Sequence, residues 1–332
     1  MTKGTLIFRV IISVLLGLCI VCTALFSVLF VAYLEEKVVQ EEYGIFVAGV
    51  PVTLDNRKDI LGDGTVSYSA SKNLLTFENA TIEYFDSVVY SKIDIKIELI
   101  GENKFIMSGD TVPVLYAGDY VTTNDIAIFG DGSLTVEYKS GVADALGIFG
   151  DEIRIESDIT ITLPDCTNIC NGIYSEGNLT ISKGATVTIN NGKALYSTAV
   201  KASNNINIET GATLNVTNPG ATELCRGMNV GGALIIWENA TLNVDVDDQD
   251  AKTSECIRVY GFMGIKDNAK VTVSSKKAHA IECYGAMDLA DGATVSASTE
   301  GQGADLFCYG AIVNHGATVN GEVEALGEVH NK

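Results

Sequence analysis

Three five-residue phrases in the last third of the chain carry the residues best suited to binding chemistry: Ile257-Arg-Val-Tyr-Gly, Ile281-Glu-Cys-Tyr-Gly and Leu306-Phe-Cys-Tyr-Gly. Side chains on an extended strand alternate between its two faces. With Ile257, Ile281 and Leu306 turned inward, Tyr260, Tyr284 and Tyr309 therefore face outward in one column. Such a column offers flat apolar faces together with hydroxyls, the combination that holds sugar rings, and it equally serves as surface stacking that steadies a sheet. Tyr174 joins the candidate ligand contacts. It follows Ile173 as Phe149 follows Ile148, at a position also filled by Arg258 and Phe307, so this second column is chemically mixed.

Other chemistry is thinly represented. The arginines beyond the N-terminal region are Arg57, Arg154, Arg226 and Arg258, at different registers, and supply no cluster of the kind a polysaccharide lyase needs as proton acceptor. A glycoside hydrolase needs two carboxylates about 5–10 Å apart in one groove, and among 42 acidic residues such pairs are unavoidable and uninformative. His279, His315 and His330 are scattered near turns and suggest neither a triad nor a metal site. Asp245-Val-Asp-Asp-Gln-Asp250 is acidic enough to interest Ca²⁺, but an EF-type loop needs Gly sixth and Glu twelfth, where this chain has Asp250 and Cys256. The stretch reads as a solvated insertion loop. No catalytic residue, metal site or cofactor is expected, and no phosphate loop, dinucleotide glycine phrase or zinc motif is present.

What must position the tyrosines is a repeat. Lys-Gly-Ala-Thr-Val-Thr-Ile from Lys183 returns as Thr-Gly-Ala-Thr-Leu-Asn-Val from Thr210, Glu-Asn-Ala-Thr-Leu-Asn-Val from Glu238, Asp-Asn-Ala-Lys-Val-Thr-Val from Asp267 and Asp-Gly-Ala-Thr-Val-Ser-Ala from Asp291. The turn residue falls at Gly132, Asp158, Gly184, Gly211, Asn239, Asn268, Gly292 and Gly316, with gaps of 24 to 29 residues. A second ladder keeps step: Ile148, Ile173, Val200, Met228, Ile257, Ile281 and Leu306. Apolar residues alternate with Thr, Ser or Asn inside each phrase, which is strand periodicity. A unit this short buries no core alone, whereas stacked copies share one. The expected fold is all-β, a parallel β-helix solenoid spanning 83–332, with a small N-terminal β cap over 43–82. In that cap Gly62-Asp63-Gly64 reads as a tight hairpin turn.

Gly, Asn and Asp at the corners fit left-handed backbone. The sequons at Asn79, Asn178, Asn215 and Asn239 then read as corner chemistry. Cys283 and Cys308 share an inward register with Val259 and are expected as stacked free thiols, since side chains one layer apart start farther apart than a disulfide allows. Cys166 and Cys170 are near enough in sequence to pair across a turn.

Val10–Leu34 is uncharged over 25 residues, long enough for one transmembrane helix. Lys3 and Arg9 precede it and Glu35, Glu36, Glu41 and Glu42 follow, so residues 1–9 are expected in the cytoplasm, 35–42 as a juxtamembrane linker and the remainder outside the cell. The run exceeds the apolar region of a cleaved signal peptide. All 42 acidic residues but only 20 of the 22 basic ones lie beyond position 34. An exterior of that sign excludes nucleic acid as a partner and disfavours anionic lipid and acidic polysaccharide.

The stretch from Tyr43 to Ile82, with Gly-Ile-Tyr-Ser-Glu-Gly-Asn-Leu-Thr-Ile at 172–181, resembles the "carbohydrate-binding domain-containing" surface proteins of Firmicutes and related gut bacteria. The resemblance covers most of the exterior part. It implies a right-handed β-helix with a carbohydrate-binding role and assigns no site residues. The function expected is therefore a membrane-anchored, adhesin-like glycan-binding module, whose partners are the bilayer through residues 10–34 and glycans or cell-envelope polysaccharide. A structural stalk without a small ligand, and a polysaccharide lyase or glycoside hydrolase, are the alternatives.

Overall fold

The computed structural model describes residues 42–332 apart from 111, 120, 140 and 302, together with 22, 23 and 25–27. The expected membrane run 10–34 lies outside the described residues except for those last five, which are helical. Among the described residues no helix is long and apolar enough to cross a membrane. Tyr43–Val52 and Asn56–Lys332 form one compact unit. It is all-β, a parallel solenoid of about nine turns.

Each full turn gives one strand to each of three sheets. Sheet A holds 12 strands, from Val50–Thr53 at one edge to Val323–Ala325 at the other; sheet B holds 12, from Val66–Ser69 to Val329–Asn331; sheet C holds 10, from Thr81–Tyr84 to Thr318–Asn320. The repeat reads directly as rungs. Ile148, Ile173, Val200, Met228, Ile257, Ile281 and Leu306 are successive pairing partners in sheet A and at most 1% exposed. In sheet C, Val187, Leu214, Leu242, Val271 and Val295 do the same. Each buried aliphatic of this kind contributes about 1.5–3 kcal/mol, and only because the neighbouring turns cover it.

The strands of sheet A that run through the middle of the solenoid, Val142–Gly150, Cys166–Ser175, Ala194–Ala202 and Ala221–Val230, break alternation with two adjacent buried residues, Gly147-Ile148, Gly172-Ile173, Ala199-Val200 and Gly227-Met228. The first of each pair must be small. A Cβ on Gly172 would lie 2.5 Å from both the Ala199 carbonyl oxygen and Ile189 Cγ2. The break leaves residues on both sides of the pair, such as Leu146 and Phe149, on the outer face.

Two expectations need correcting. Gly62-Asp63-Gly64 is not a hairpin turn, because side chains capture its backbone. Asp59 Oδ1 accepts the N–H groups of Gly62 and Gly64, each at 2.9 Å, and Asp63 Oδ1 accepts the Thr65 N–H at 3.0 Å and its hydroxyl at 2.6 Å. The hairpins lie on either side of this loop. Ala48 and Gly49, at φ 47° and 72°, link Glu42–Val47 to Val50–Thr53, and Val66–Ser69 pairs antiparallel with Leu74–Glu78. Glu42–Val47 lies antiparallel on Val89–Ser91, closing that end of sheet A. Parallel stacking already begins at Leu74–Glu78 and Thr81–Tyr84, inside the segment expected to be cap.

The acidic stretch from Asp245 is also not simply solvated. Asp245 and Val246 finish the strand Thr241–Val246, and Asp248 is fully buried. Its carboxylate accepts the N–H groups of Lys276 (2.8 Å), Lys277 (2.8 Å) and Ala278 (2.9 Å) and the Ser275 hydroxyl (3.0 Å). Three successive amides aimed at one point make an anion-binding nest, and here the next turn of the solenoid supplies it.

Candidate functional site

Strand register builds the tyrosine column as expected. Tyr260 and Tyr284 stack with ring centroids 5.3 Å apart and planes at 19°, and Tyr284 and Tyr309 at 4.4 Å and 14°. The chemistry around it is more occupied than the sequence suggests. Arg258, two residues before Tyr260 and so on the same face, donates to the Tyr284 hydroxyl at 2.7 Å and lies over the Tyr260 and Tyr284 rings at 5.5 and 5.2 Å. It also pairs with Glu282 at 3.0 Å and with Glu255, which in turn binds Arg226. Arg226 and Arg258 therefore do cluster, contrary to expectation: their registers differ, but Glu255 bridges them while only 6% exposed. Burial alone lowers the affinity of the Arg258 guanidinium for its proton; the Glu282 hydrogen bond and the charges of Glu255 and Glu282 more than reverse this. Burial, the Glu282 charge and the Tyr309 contact push the Tyr284 phenol up to about 12. Tyr260 and Tyr309 are 46% and 40% exposed, so the column reaches solvent, but Arg258 and its carboxylate partners already occupy the Tyr284 hydroxyl and one side of the rings.

Tyr174 belongs elsewhere, to a longer ladder on the same sheet. Phe46, Tyr90, Tyr116, Phe149 and Tyr174 stack in order at 5.7, 5.5, 5.4 and 5.0 Å between centroids, with interplanar angles of 25°, 23°, 2° and 29°. All five are pairing neighbours, and all are partly exposed. Aromatic carbons touch at roughly 3.5–4 Å, so near-parallel rings with centroids more than 5 Å apart are offset, and part of each face is left open. Lysines cover the two ends: Lys92 lies 5.6 Å from the Phe46 centroid and Lys201 lies 4.0 Å from that of Tyr174.

The ladder floors a groove of about 660 Å³. Gly49, Tyr84, Asp86, Leu146, Ile169 and Asn171 complete its lining. The walls are set by carboxylates and a phenol. Asp110 accepts the backbone N–H groups of Ala143 (3.0 Å) and Asp144 (2.8 Å), and Asp144 accepts that of Ile169 (3.0 Å). The Tyr138 hydroxyl donates to the Leu146 carbonyl and accepts from its N–H, both at 2.9 Å; burial raises this phenol well above its ordinary value. Gly49 is required where it stands, because a Cβ there would meet the Tyr84 hydroxyl at 2.0 Å. At the rim, backbone N–H groups of Thr122 and Val121 hold the Asp119 carboxyl below its usual range, and Asp119 O accepts the Tyr116 hydroxyl at 2.8 Å.

Sequence reasoning missed Phe46, Tyr90 and Tyr116 because they precede the clean repeat. A local signal existed. Val89-Tyr90-Ser91, Leu115-Tyr116-Ala117, Ile148-Phe149-Gly150 and Ile173-Tyr174-Ser175 all read aliphatic, aromatic, small.

Elsewhere, Asp94, Asp125, Asp151, Glu152 and Glu176 line the corner leading into sheet B. Burial first, then neighbouring carboxylates, raise the Asp125 and Asp151 carboxyls above their ordinary value. Among the described residues no group of three or more His, Cys, Asp or Glu side chains is arranged to hold a metal ion. The histidines stay apart. His279 stacks on Phe307 at 5.0 Å, His315 contacts Asp288 at 3.1 Å and His330 contacts Glu328 at 3.1 Å. Cys166, Cys170, Cys225, Cys256, Cys283 and Cys308 are all unpaired, with Cys283 and Cys308 buried in adjacent rungs beneath Val259. The chain matches no protein-family model, no curated protein and no solved structure.

Proposed function

We propose that this chain is a non-catalytic carbohydrate-binding β-helix, held at the outer face of a membrane by residues 10–34, and that an extended glycan lies along the groove of sheet A. The observation that carries the reading is the ladder of Phe46, Tyr90, Tyr116, Phe149 and Tyr174, five partly exposed rings in one line on the floor of a groove of about 660 Å³. The line is about 20 Å long at ordinary strand spacing. Its step is comparable to the length of one pyranose unit, so successive sugars of a chain meet successive rings. Offset faces supply apolar contact for the sugar C–H surface, and Asp86, Asp119 and Asn171 supply hydrogen-bonding groups at the edge. The acidic exterior favours neutral glycans over polyanions.

Glycan-array binding by the residue 43–332 segment, compared with Tyr116→Ala and with Tyr284→Ala, tests this reading. Neutral glycans are expected to bind wild type and Tyr284→Ala alike, and Tyr116→Ala at least tenfold more weakly. Equal binding by all three removes the groove from the function.

A structural role is the better reading for the other column. Arg258 engages the Tyr284 hydroxyl, lies over the Tyr260 and Tyr284 rings and is itself held by Glu255 and Glu282, so these rings already have protein partners. Those rings, expected as ligand contacts, fit a strut.

A further inference from the structure

We propose a second, independent sugar site on sheet B at the C-terminal ends of its strands, centred on Trp237, which takes a single neutral pyranose such as a chain end or a side branch. Trp237 is the one tryptophan in the sequence and is 38% exposed. It directly follows the sheet B strand Leu234–Ile236; its N–H donates to the Ile208 carbonyl at 2.9 Å, placing it one turn beyond Glu209, whose N–H donates in the same way to Ile181. It walls a groove of about 340 Å³, half the volume of the sheet A groove, whose remaining lining is polar: Thr180, Lys183, Asn207, Glu209 and Thr210.

Two features separate this place from an ordinary polar surface. Among the described residues no aromatic ring or cation stacks on the Trp237 indole, in contrast to every ring of the two ladders, and the indole is partly exposed at the groove. The polar lining is divided into a fixed set and a free set. Glu209 is pinned by Arg154 at 3.3 Å and by the Lys183 N–H at 3.2 Å, and Thr210 donates to Glu238 at 3.2 Å. The Thr180 hydroxyl, the Asn207 amide, the Lys183 ammonium and the Trp237 indole N–H have no protein hydrogen-bond partner among the described residues. Thr180 and Asn207 are pairing neighbours on adjacent strands, so their side chains leave the sheet side by side. A partly exposed indole beside adjacent amide and hydroxyl groups matches what a pyranose presents, a C–H face and equatorial hydroxyls. The lining carries one cation, Lys183, and one anion, Glu209, which leaves no excess positive charge to favour an acidic sugar.

Because the chain has one tryptophan, indole emission reports on this site and on no other. Titration of the 43–332 segment with cellohexaose, mannohexaose and galactohexaose is expected to give, for at least one, a saturable shift in emission with protection from acrylamide quenching. Asn207→Ala is expected to weaken that response about tenfold, the loss of one good hydrogen-bonding side chain. Phe149→Ala, in the other groove, is expected to leave it unchanged. Silent emission with all three sugars, or a response insensitive to Asn207→Ala, overturns the proposal. Calorimetric binding that Phe149→Ala abolishes while emission stays silent overturns this site alone and leaves the sheet A reading standing.

Discussion

Replacing Phe149 by alanine separates a ladder that binds from one that only stiffens. The ring stacks on Tyr116 at 5.4 Å and 2° and on Tyr174 at 5.0 Å and 29°, so the variant loses two stacked pairs. Each such pair contributes about 0.5–1.5 kcal/mol beyond area burial, which sets the stability loss at about 1–3 kcal/mol. A ligand lying on the groove floor loses contact with the fourth of five rings. One stacking contact of about 1.4 kcal/mol corresponds to a tenfold weaker dissociation constant. Urea denaturation followed by circular dichroism reads the first quantity, and calorimetric titration with the tightest array glycan reads the second. Phe149→Leu is the control, because it keeps apolar bulk over the bulge while removing the flat face. Stability is expected to fall in both variants, further in the alanine; affinity is expected to fall about tenfold in both. A stability loss with unchanged affinity refutes the groove as a ligand site and leaves the ladder a strut.

Asp248→Ala strands three backbone N–H groups that the carboxylate now accepts in the buried turn, and is expected to cost about 3 kcal/mol or more by urea denaturation; a loss below about 1 kcal/mol means water replaces the carboxylate freely. Asp125 and Asp151 hold their protons more tightly folded than unfolded, so the stability tied to them is fully present below the unfolded value of 3.8 and is lost as pH rises through their folded values. Asp151→Asn is therefore expected to raise the urea midpoint relative to wild type more at neutral pH than at acid pH, and a gain independent of pH contradicts the assignment. Among the thiols, Cys166 is partly exposed and lowered by its contact with Cys170, whereas burial raises Cys225 to about 12 and holds Cys256 well above the ordinary thiol value. Brief iodoacetamide treatment of native protein, mapped by mass spectrometry, is expected to mark Cys166 before Cys225 or Cys256; equal rates mean the core opens as fast as it is labelled.

The core was legible because a solenoid repeats its burial. One aliphatic position recurring from Ile148 to Leu306 is enough to place seven successive rungs, and the pairing follows it residue for residue. Features that depend on a single turn were not legible. Nothing periodic announces that Asp248 turns inward, because its partners are backbone amides of the next turn, which have no sequence signature. Gly62-Asp63-Gly64 carries the composition of a hairpin turn, yet Asp59, three residues before it, decides where those N–H groups point. The tyrosine column follows from the spacing, whereas the Arg258 contacts to Tyr260 and Tyr284 do not, because they depend on one side chain of a single turn.

The ladder's own boundary bears most directly on function. Its column continues in register past Tyr174 through Lys201, Asn229, Arg258, Glu282 and Phe307. Every one of these positions meets the same geometric demand, a side chain leaving sheet A one residue after the inward aliphatic. Stacking that served the fold alone has the same value at each rung, and nothing in the backbone prevents an aromatic at 201 or 229, where the strands keep the same length and the same bulge. The unbroken aromatic run instead stops at Tyr174, the last ring lining the groove, and the column continues as Lys201, Asn229 and the Arg258–Glu282 ion pair before Phe307. The unbroken run of five aromatic rungs therefore coincides with the groove, which supports a surface shaped for a ligand over one shaped for stiffness alone. The coincidence also predicts an asymmetry: Lys201→Tyr, which extends the ladder by one rung past the groove, is expected to raise the urea midpoint through one further stack without tightening glycan binding, and a variant that tightens binding places the ligand beyond Tyr174.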